Sequence, residues 1–319
     1  MTSAAVLEEY RPALMGHCYR MLGSLMEAED AVQETMLRAW KALDRVRDRS
    51  SFKPWLYRIA TNVCFDTLAA THRTRVRPMD VTPGPTEVIE GLDLTQRERE
   101  YWVEPIPDAL ALPNDGESDP AEQAILRESI RLAFVAALQY LPPRQRAVLL
   151  LTQVLNWSAN ETAEALEMSV PAVNSALQRA RATLEARNPA VVPRDLTPEQ
   201  ERLLERYASA FERYDVEAIA QLLHEEATMS MPPYELWLKG RDSIARWMLT
   251  YGIGCRGSRL VRLPTACGGA PAFAQYRQGG DVPWGIVVLD LDGDRIVRLN
   301  YFLDVEKIFP RFDMPMRLA

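Results

Sequence analysis

Asn174 and Gln178, and likewise Ser175 and Arg179, are four residues apart in an amphipathic segment, so the four side chains share one helical face. Their amide, hydroxyl and guanidinium heads donate and accept hydrogen bonds in a fixed pattern, the chemistry that reads a patterned edge such as a nucleic-acid base. A polar face of this kind also serves simply to keep a helix in water. A second set, Asp30, Gln33, Glu34 and Arg38, mixes charge signs on a segment whose Val32, Met36, Ala39, Trp40 and Leu43 recur at helical spacing. Mixed charges suit paired contacts with another macromolecule, or an ordinary solvated face. Bond-making chemistry is poorly provided for. His224 and Asp304 carry groups fit for general acid–base work, but nothing in the sequence sets a tuning partner beside either. Cys18, Cys64, Cys255 and Cys267 form no C-x-x-C pair, so no metal is expected and reduced thiols are the plain reading. A Cys255–Cys267 bridge is permitted but not required, and no cofactor is implied.

The elements that must position these groups are mostly helical at first. Residues 6 to about 72 read as three or four helices. Pro54 opens one that buries Leu56, Ile59, Ala60 and Val63 and offers Trp55, Arg58, Asn62 and Asp66 on its other side. From 76 to 120 the chain turns rich in Pro, Gly, Asp and Glu and loses its period. It reads as an irregular linker, with a short helix allowed over 94–103. Helical order returns as a long helix from Ala121 to about Tyr140, followed by another with Pro143 in its first turn. Ser158 and Glu161 then form a capping box that opens a short helix to Leu166. A three-residue turn (167–169) leads to a second helix, with Pro171 in its first turn and a buried stripe of Val173, Ala176, Leu177, Ala180 and Leu184. The pair spells a helix-turn-helix.

After a second linker (188–196), Thr197 and Gln200 repeat the capping logic for a helix through Phe211, and another follows over 216–223. Short apolar runs at 227–231, 236–238, 259–263 and 272–276 then read as strands. The segments 284–291 and 295–302 form a hairpin about Asp292-Gly293. Helices followed by antiparallel strands argue for a separate α+β domain.

With 319 residues, 47% hydrophobic and 25% charged, the chain suits a multidomain globular protein. No apolar run approaches the roughly 18 residues a membrane span needs, and the N-terminal residues lack a signal-peptide pattern, so a cytoplasmic location away from membranes is expected. The net charge of −7 would disfavour nucleic acid, but residues 76–120 alone carry 11 acidic and 3 basic side chains. The flanking segments are slightly basic and remain free to meet DNA.

Taken together, the Glu27–Trp40 run, Pro54-Trp-Leu-Tyr-Arg-Ile-Ala-Thr-Asn62, Leu141-Pro-Pro-Arg-Gln-Arg-Ala-Val-Leu-Leu150 and the helix-turn-helix ending in Asn174–Arg181 resemble the extracytoplasmic-function (ECF) sigma factors of the sigma-70 family. The remainder resembles the SnoaL-like, or ketosteroid-isomerase-like, fold. The resemblance implies two all-α domains, sigma region two (1–75) and sigma region four (121–190), joined by an acidic linker (76–120). A cone-shaped α+β domain (195–319) follows.

The same resemblance implies the roles. Asp30, Gln33, Glu34 and Arg38 would dock on the β′ clamp of core RNA polymerase, with the β flap as a further contact. Trp55, Arg58, Asn62 and Asp66 would read and open the −10 element of promoter DNA, although Trp55 equally suits the core. Asn174, Ser175, Gln178 and Arg179 would enter the major groove at the −35 element, and Arg181 would meet phosphate. Glu167 departs from the glycine common at that turn, and Pro171 departs too. The linker would thread the polymerase near its active-site channel. In the last domain Met229, Met231, Trp237, Tyr251, Trp284 and Phe302 are candidates to line a pocket for a small hydrophobic ligand. The reading is a sigma factor regulated in cis rather than an enzyme. The alternatives are a ligand-responsive helix-turn-helix regulator that works without polymerase, and an isomerase or cyclase on a DNA-binding scaffold.

Overall fold

The computed structural model describes residues 3–43, 52–71, 74–113, 119–187 and 196–318. In chain order the helices are α1 (Ser3–Glu8), α2 (Arg11–Leu22), α3 (Leu25–Ala42), α4 (Phe52–Thr71), α5 (Pro78–Val81), α6 (Asp108–Ala111), α7 (Pro120–Ser129) and α8 (Leu132–Leu138). They continue as α9 (Pro143–Leu149), α10 (Ala159–Leu166), α11 (Val170–Arg187), α12 (Pro198–Glu212), α13 (Val216–Leu222), α14 (Arg241–Leu249) and α15 (Val305–Ile308). The strands are β1 (Leu223–Ser230), β2 (Trp237–Lys239), β3 (Arg259–Arg262), β4 (Ala272–Arg277), β5 (Val282–Asp292) and β6 (Arg295–Phe302). None of these helices, among the described residues, is long and apolar enough to cross a membrane.

Two compact units result. The first gathers residues 1–75 with 103–190, and the second gathers 76–102 with 191–319. The acidic segment 76–120, expected as one irregular linker, is thus shared between them, and it contains α5, α6 and a 3-10 turn at Arg99–Tyr101.

In the first unit one continuous apolar core runs from α2, α3 and α4 into α8–α11, so the two helical regions are packed as a single body. Buried cations tie them together. Arg146 on α9 donates to the Met21 carbonyl at the end of α2, to Gln139 Oε1 (2.7 Å), and to the carbonyls of Gln139 and Leu141. Arg20 on α2 donates to Ser129 Oγ (2.7 Å) and the Leu126 carbonyl (3.0 Å) on α7. Burial lowers both guanidinium pKa values to about 10, which leaves them charged. The long helix expected over 121–140 is broken at Ile130–Arg131, where Arg131 is extended (φ −62°, ψ 139°). Ser129 returns its hydroxyl to the Leu126 carbonyl, a local bond that competes with helix continuation, while Ile130 is fully buried.

The second unit is a six-stranded sheet in the order β2-β1-β6-β5-β4-β3, and α12–α14 share an apolar core with it. The strand order departs from an all-antiparallel expectation, because β1 runs parallel to β6. The β5–β6 hairpin turns on Gly293-Asp294, one residue later than expected; Asp292 pairs with Arg295 and Gly293 takes the left-handed φ of 54°. Helix α14, which buries Ile244, Trp247 and Met248 at helical spacing, is an element that the reading of this stretch as strands and turns does not include.

Candidate functional site

Helix α3 starts at a cap of two parts. Ser24 Oγ accepts from the Glu27 amide (3.2 Å), and the distant Glu104 carboxylate accepts from Ser24 Oγ (2.7 Å) and the Leu25 amide (2.9 Å). So anchored, the helix buries Val32, Met36 and Ala39 and turns Asp30, Gln33 and Arg38 outward, with Glu34 half-buried. Trp40, expected inside, is 62% exposed, and Leu37 is 46% exposed. One turn-length away from the buried stripe, the two lie beside Arg38 and convert a charged face into a mixed apolar and charged one. Leu37 carried a signal in the sequence as a large apolar residue off the stripe, whereas Trp40, four residues after Met36, fitted the stripe and gave none.

On α4 the expected face is exposed at Arg58, Asn62 and Asp66, whereas Trp55 is half-buried against Phe52 (ring centroids 5.6 Å apart). Arg38 joins the two helices by donating to Glu34 (2.7 Å) and to Asp66 (3.2 Å). The Glu34 hydrogen bond is the larger reason its pKa is raised. Groups assigned to different partners therefore share one ionic network. Arg58 in turn pairs with Glu167 in the turn between α10 and α11, and Tyr57 meets Trp157 edge-on at 5.7 Å.

The helix-turn-helix is built as its sequence dictates. Ser158 and Glu161 form a reciprocal capping box at the start of α10. Glu167 ends that helix in the left-handed conformation (φ 52°, ψ 48°), a position that favours glycine. Beyond it α11 buries Val173, Ala176 and Ala180 and exposes Asn174, Ser175, Gln178 and Arg179. Arg179 leans on Ser175 Oγ (2.6 Å) and Arg181 on Gln153 Oε1 (2.7 Å).

In the second unit, Met229, Met231 and Trp284 line an apolar cavity together with Tyr207, Tyr214 and Tyr301. The cavity measures about 30 Å³, room for a single water, where small-molecule sites occupy about 300–1,000 Å³. Its polar groups include a buried pair of phenols, Tyr207 and Tyr301 (3.3 Å), which burial holds neutral by pushing both pKa values up. Three residues expected to line it lie elsewhere. Phe302 follows Tyr301 in β6 and so points to the opposite face of the sheet. Trp237 and Tyr251 instead hold residues 82–92, through Trp237 Nε1 to Thr82 Oγ1 (2.7 Å) and Tyr251 OH to the Ile89 carbonyl (2.8 Å). His224 is exposed and accepts from the Glu226 amide, while Asp304 pairs with Arg99; neither lines the cavity. No disulfide joins any of the four cysteines.

The helical pair with an amide- and arginine-bearing outer face makes this a helix-turn-helix protein. Sequence profiles extend that class: Sigma-70 region 2 matches residues 6–74, Sigma-70 region 4 matches 131–184, and the SnoaL-like domain matches 204–299. The ECF RNA polymerase sigma factor SigG of Mycobacterium tuberculosis (strain ATCC 25618 / H37Rv) is 43% identical over 321 residues, covering 98% of this chain and 84% of that protein. SigJ of the same strain is 28% identical over 267 residues, covering 80% and 76%. The crystal structure of M. tuberculosis SigJ shares the fold, with a TM-score of 0.60 at 19% identity over 98% of both chains. The chain belongs to the ECF RNA polymerase sigma factors.

Proposed function

We propose that this chain acts in the cytoplasm, docks on core polymerase through α3, reads promoter DNA through α4 and α11, and is restrained in cis. The observation that carries the docking is the exposed Leu37 and Trp40 beside Asp30, Gln33 and Arg38. A solvated helix has no use for two large apolar side chains there, whereas a protein interface gains from a desolvated anchor within a charged rim. On α11, Asn174 and Gln178 suit adenine edges and Arg179 suits guanine, with Ser175 and Arg181 nearer the backbone.

The restraint is read from the packing of the first unit. The face of α4 that carries Arg58 is turned to the helix-turn-helix, and Arg58 is spent on Glu167. A factor that must place these two regions on separate promoter elements has to break that arrangement first. The last domain contributes by its surface, since its cavity is too small for a hydrophobic ligand and presents no acid–base pair among its lining residues.

Reconstitution with core polymerase tests this. Leu37→Ser with Trp40→Ser should abolish retention on immobilised core. Asn174→Ala with Gln178→Ala should leave retention intact and change which promoters are used. Should promoter binding proceed equally well without polymerase, the stand-alone regulator would be the better reading.

A further inference from the structure

The second unit holds about 27 residues of the chain between the two DNA-reading regions, and it holds them as a closed loop. The loop is shut at its base, where Val76 pairs with Trp102 and the Val76 amide donates to the Tyr101 carbonyl (2.8 Å). At two places, Thr86 and 95–97, it bonds to the free edge of the sheet at β2 and to the turn before it. The Thr86 amide donates to the Trp237 carbonyl (2.7 Å), the Arg97 amide to the Pro233 carbonyl (3.0 Å), and the Glu235 amide to the Thr95 carbonyl (3.0 Å). The Leu92 amide donates to Tyr251 OH (2.6 Å), and Tyr251 lies flat on Trp247. Arg97 pairs with Glu235, and Arg99 with Asp304 (2.7 Å).

Side chains follow a two-sided pattern. Val88, Leu92 and Leu94 join the apolar core of the unit, while Glu87, Glu90 and Asp93 face solvent. This is pairing to a sheet edge at two short stretches with apolar anchors between them, a partial form of the way folded domains bind extended peptides. The occupant here is the protein's own linker.

Docking shortens the tether. Free, residues 76–102 extend to about 90 Å at about 3.3–3.6 Å per residue. Closed at Val76 and Trp102 they contribute about 5 Å, the spacing of paired strands. We propose that the β2 edge and the Trp247–Tyr251 shelf form a clasp for residues 82–97, and that the clasp sets how far apart the two DNA-reading regions can move. This rests on the reading of the chain as a sigma factor. Initiation then requires the loop to leave the edge, and any agent that displaces it from the β2 edge activates the protein.

A reversible staple tests the clasp in the full-length chain. Gln96 and Tyr234 face each other across the added strand, with hydrogen bonds on either side of the pair rather than within it. Such pairs bring Cα atoms to about 4.5 Å, within disulfide range. The oxidised Gln96→Cys/Tyr234→Cys protein, reconstituted with core polymerase, should initiate at least tenfold less than the same protein after dithiothreitol. Wild type and each single-cysteine variant should ignore the redox change. Equal initiation by the oxidised and reduced double variant would overturn the clasp. Failure of wild type itself on every promoter would instead overturn the sigma reading, and the clasp with it. Amide exchange offers a second readout that needs no variant: Thr86 and Arg97 should be protected in the free chain and exposed in the promoter complex, and retained protection there would overturn the proposal.

Discussion

Gln178 and Arg181 lie one turn apart on α11 and are assigned different work, a base edge and a phosphate. Gln178→Ala should therefore cost about 1–3 kcal/mol at one base position and relax the preference there. Arg181→Ala should weaken all promoters alike and reduce the slope of log affinity against log salt by about 0.9. Competition binding across a promoter library at several salt concentrations separates the two. A buried residue supplies a second test. His17 is fully enclosed on α2 and donates from Nε2 to Thr61 Oγ1 (2.9 Å), because the Thr61 hydroxyl is already given to the Tyr57 carbonyl (2.7 Å). Burial, then the nearby Arg20 charge, lowers its pKa from 6.5 to about 3. Between those values the unfolded chain takes up a proton that the folded chain refuses. Stability should therefore fall as pH drops below about 6.5, by up to about 1.4 kcal/mol per pH unit. His17→Gln should flatten urea midpoints between about pH 6.5 and 5, above the range of ordinary carboxylates. At this scale the sequence showed which of Arg58, Asn62, Asp66 and the α11 residues face outward, since helical period alone decides that. It did not show that Arg58 meets Glu167, or that Arg38 meets Asp66, because those partners are brought together only by packing between helices.

Helix α3 depends for its N-terminus on a residue far along the chain, the Glu104 carboxylate, which accepts from Ser24 Oγ and from the Leu25 and Met26 amides.

 
Leu25, the first residue of the helix, is 79 positions from Glu104 in the sequence, so this cap exists only in the folded chain. Glu104→Ala should leave the buried Ser24 hydroxyl and two helix-end amides without their acceptor and cost about 2 kcal/mol, read as a lower urea midpoint with an unchanged slope. Ser24→Ala, which also removes the local acceptor of the Glu27 amide, should couple to it in a double-mutant cycle. Local caps were legible without the structure: the Ser158–Glu161 and Thr197–Gln200 boxes start α10 and α12 where the sequence puts them, since each bond spans three residues. Elements fixed by distant partners were not. The break at Ile130–Arg131 is stabilised by Arg20, the parallel neighbour of β1 is β6, and, within 82–97, Thr86 and residues 95–97 are held by β2 and the turn before it. Composition marks that last segment as a linker, and only its alternation of Val88, Leu92 and Leu94 with carboxylates hints that one side is buried.

At the scale of the whole molecule, the two regions proposed to read DNA share a core in the first unit, and under that proposal the shared core would limit how readily both engage a promoter. If the closed arrangement dominates, the measured affinity is the intrinsic one reduced by the open fraction. Glu167 is the place to test this, because two effects of opposite sign meet there. Its left-handed backbone (φ 52°) costs a residue with a side chain about 1 kcal/mol, which glycine would recover. Its ion pair with Arg58 is largely in water, the side chains being 43% and 74% exposed, and contributes about 0–1 kcal/mol. Glu167→Gly should therefore leave the melting temperature unchanged or slightly raised, while it frees Arg58 and removes a negative charge from the turn of the helix-turn-helix. The expected result is promoter binding by the holoenzyme about two- to fivefold tighter, the shift that up to about 1 kcal/mol allows. Glu167→Ala separates the contributions, since it removes the same charge and the same ion pair but keeps the backbone cost. Equal gains in affinity from both variants, with a higher melting temperature for glycine alone, would assign the effect to the latch and its charge rather than to a better-folded helix-turn-helix. Unchanged affinity in both, measured by fluorescence polarisation on a labelled promoter, would mean that the Arg58–Glu167 contact does not limit promoter engagement.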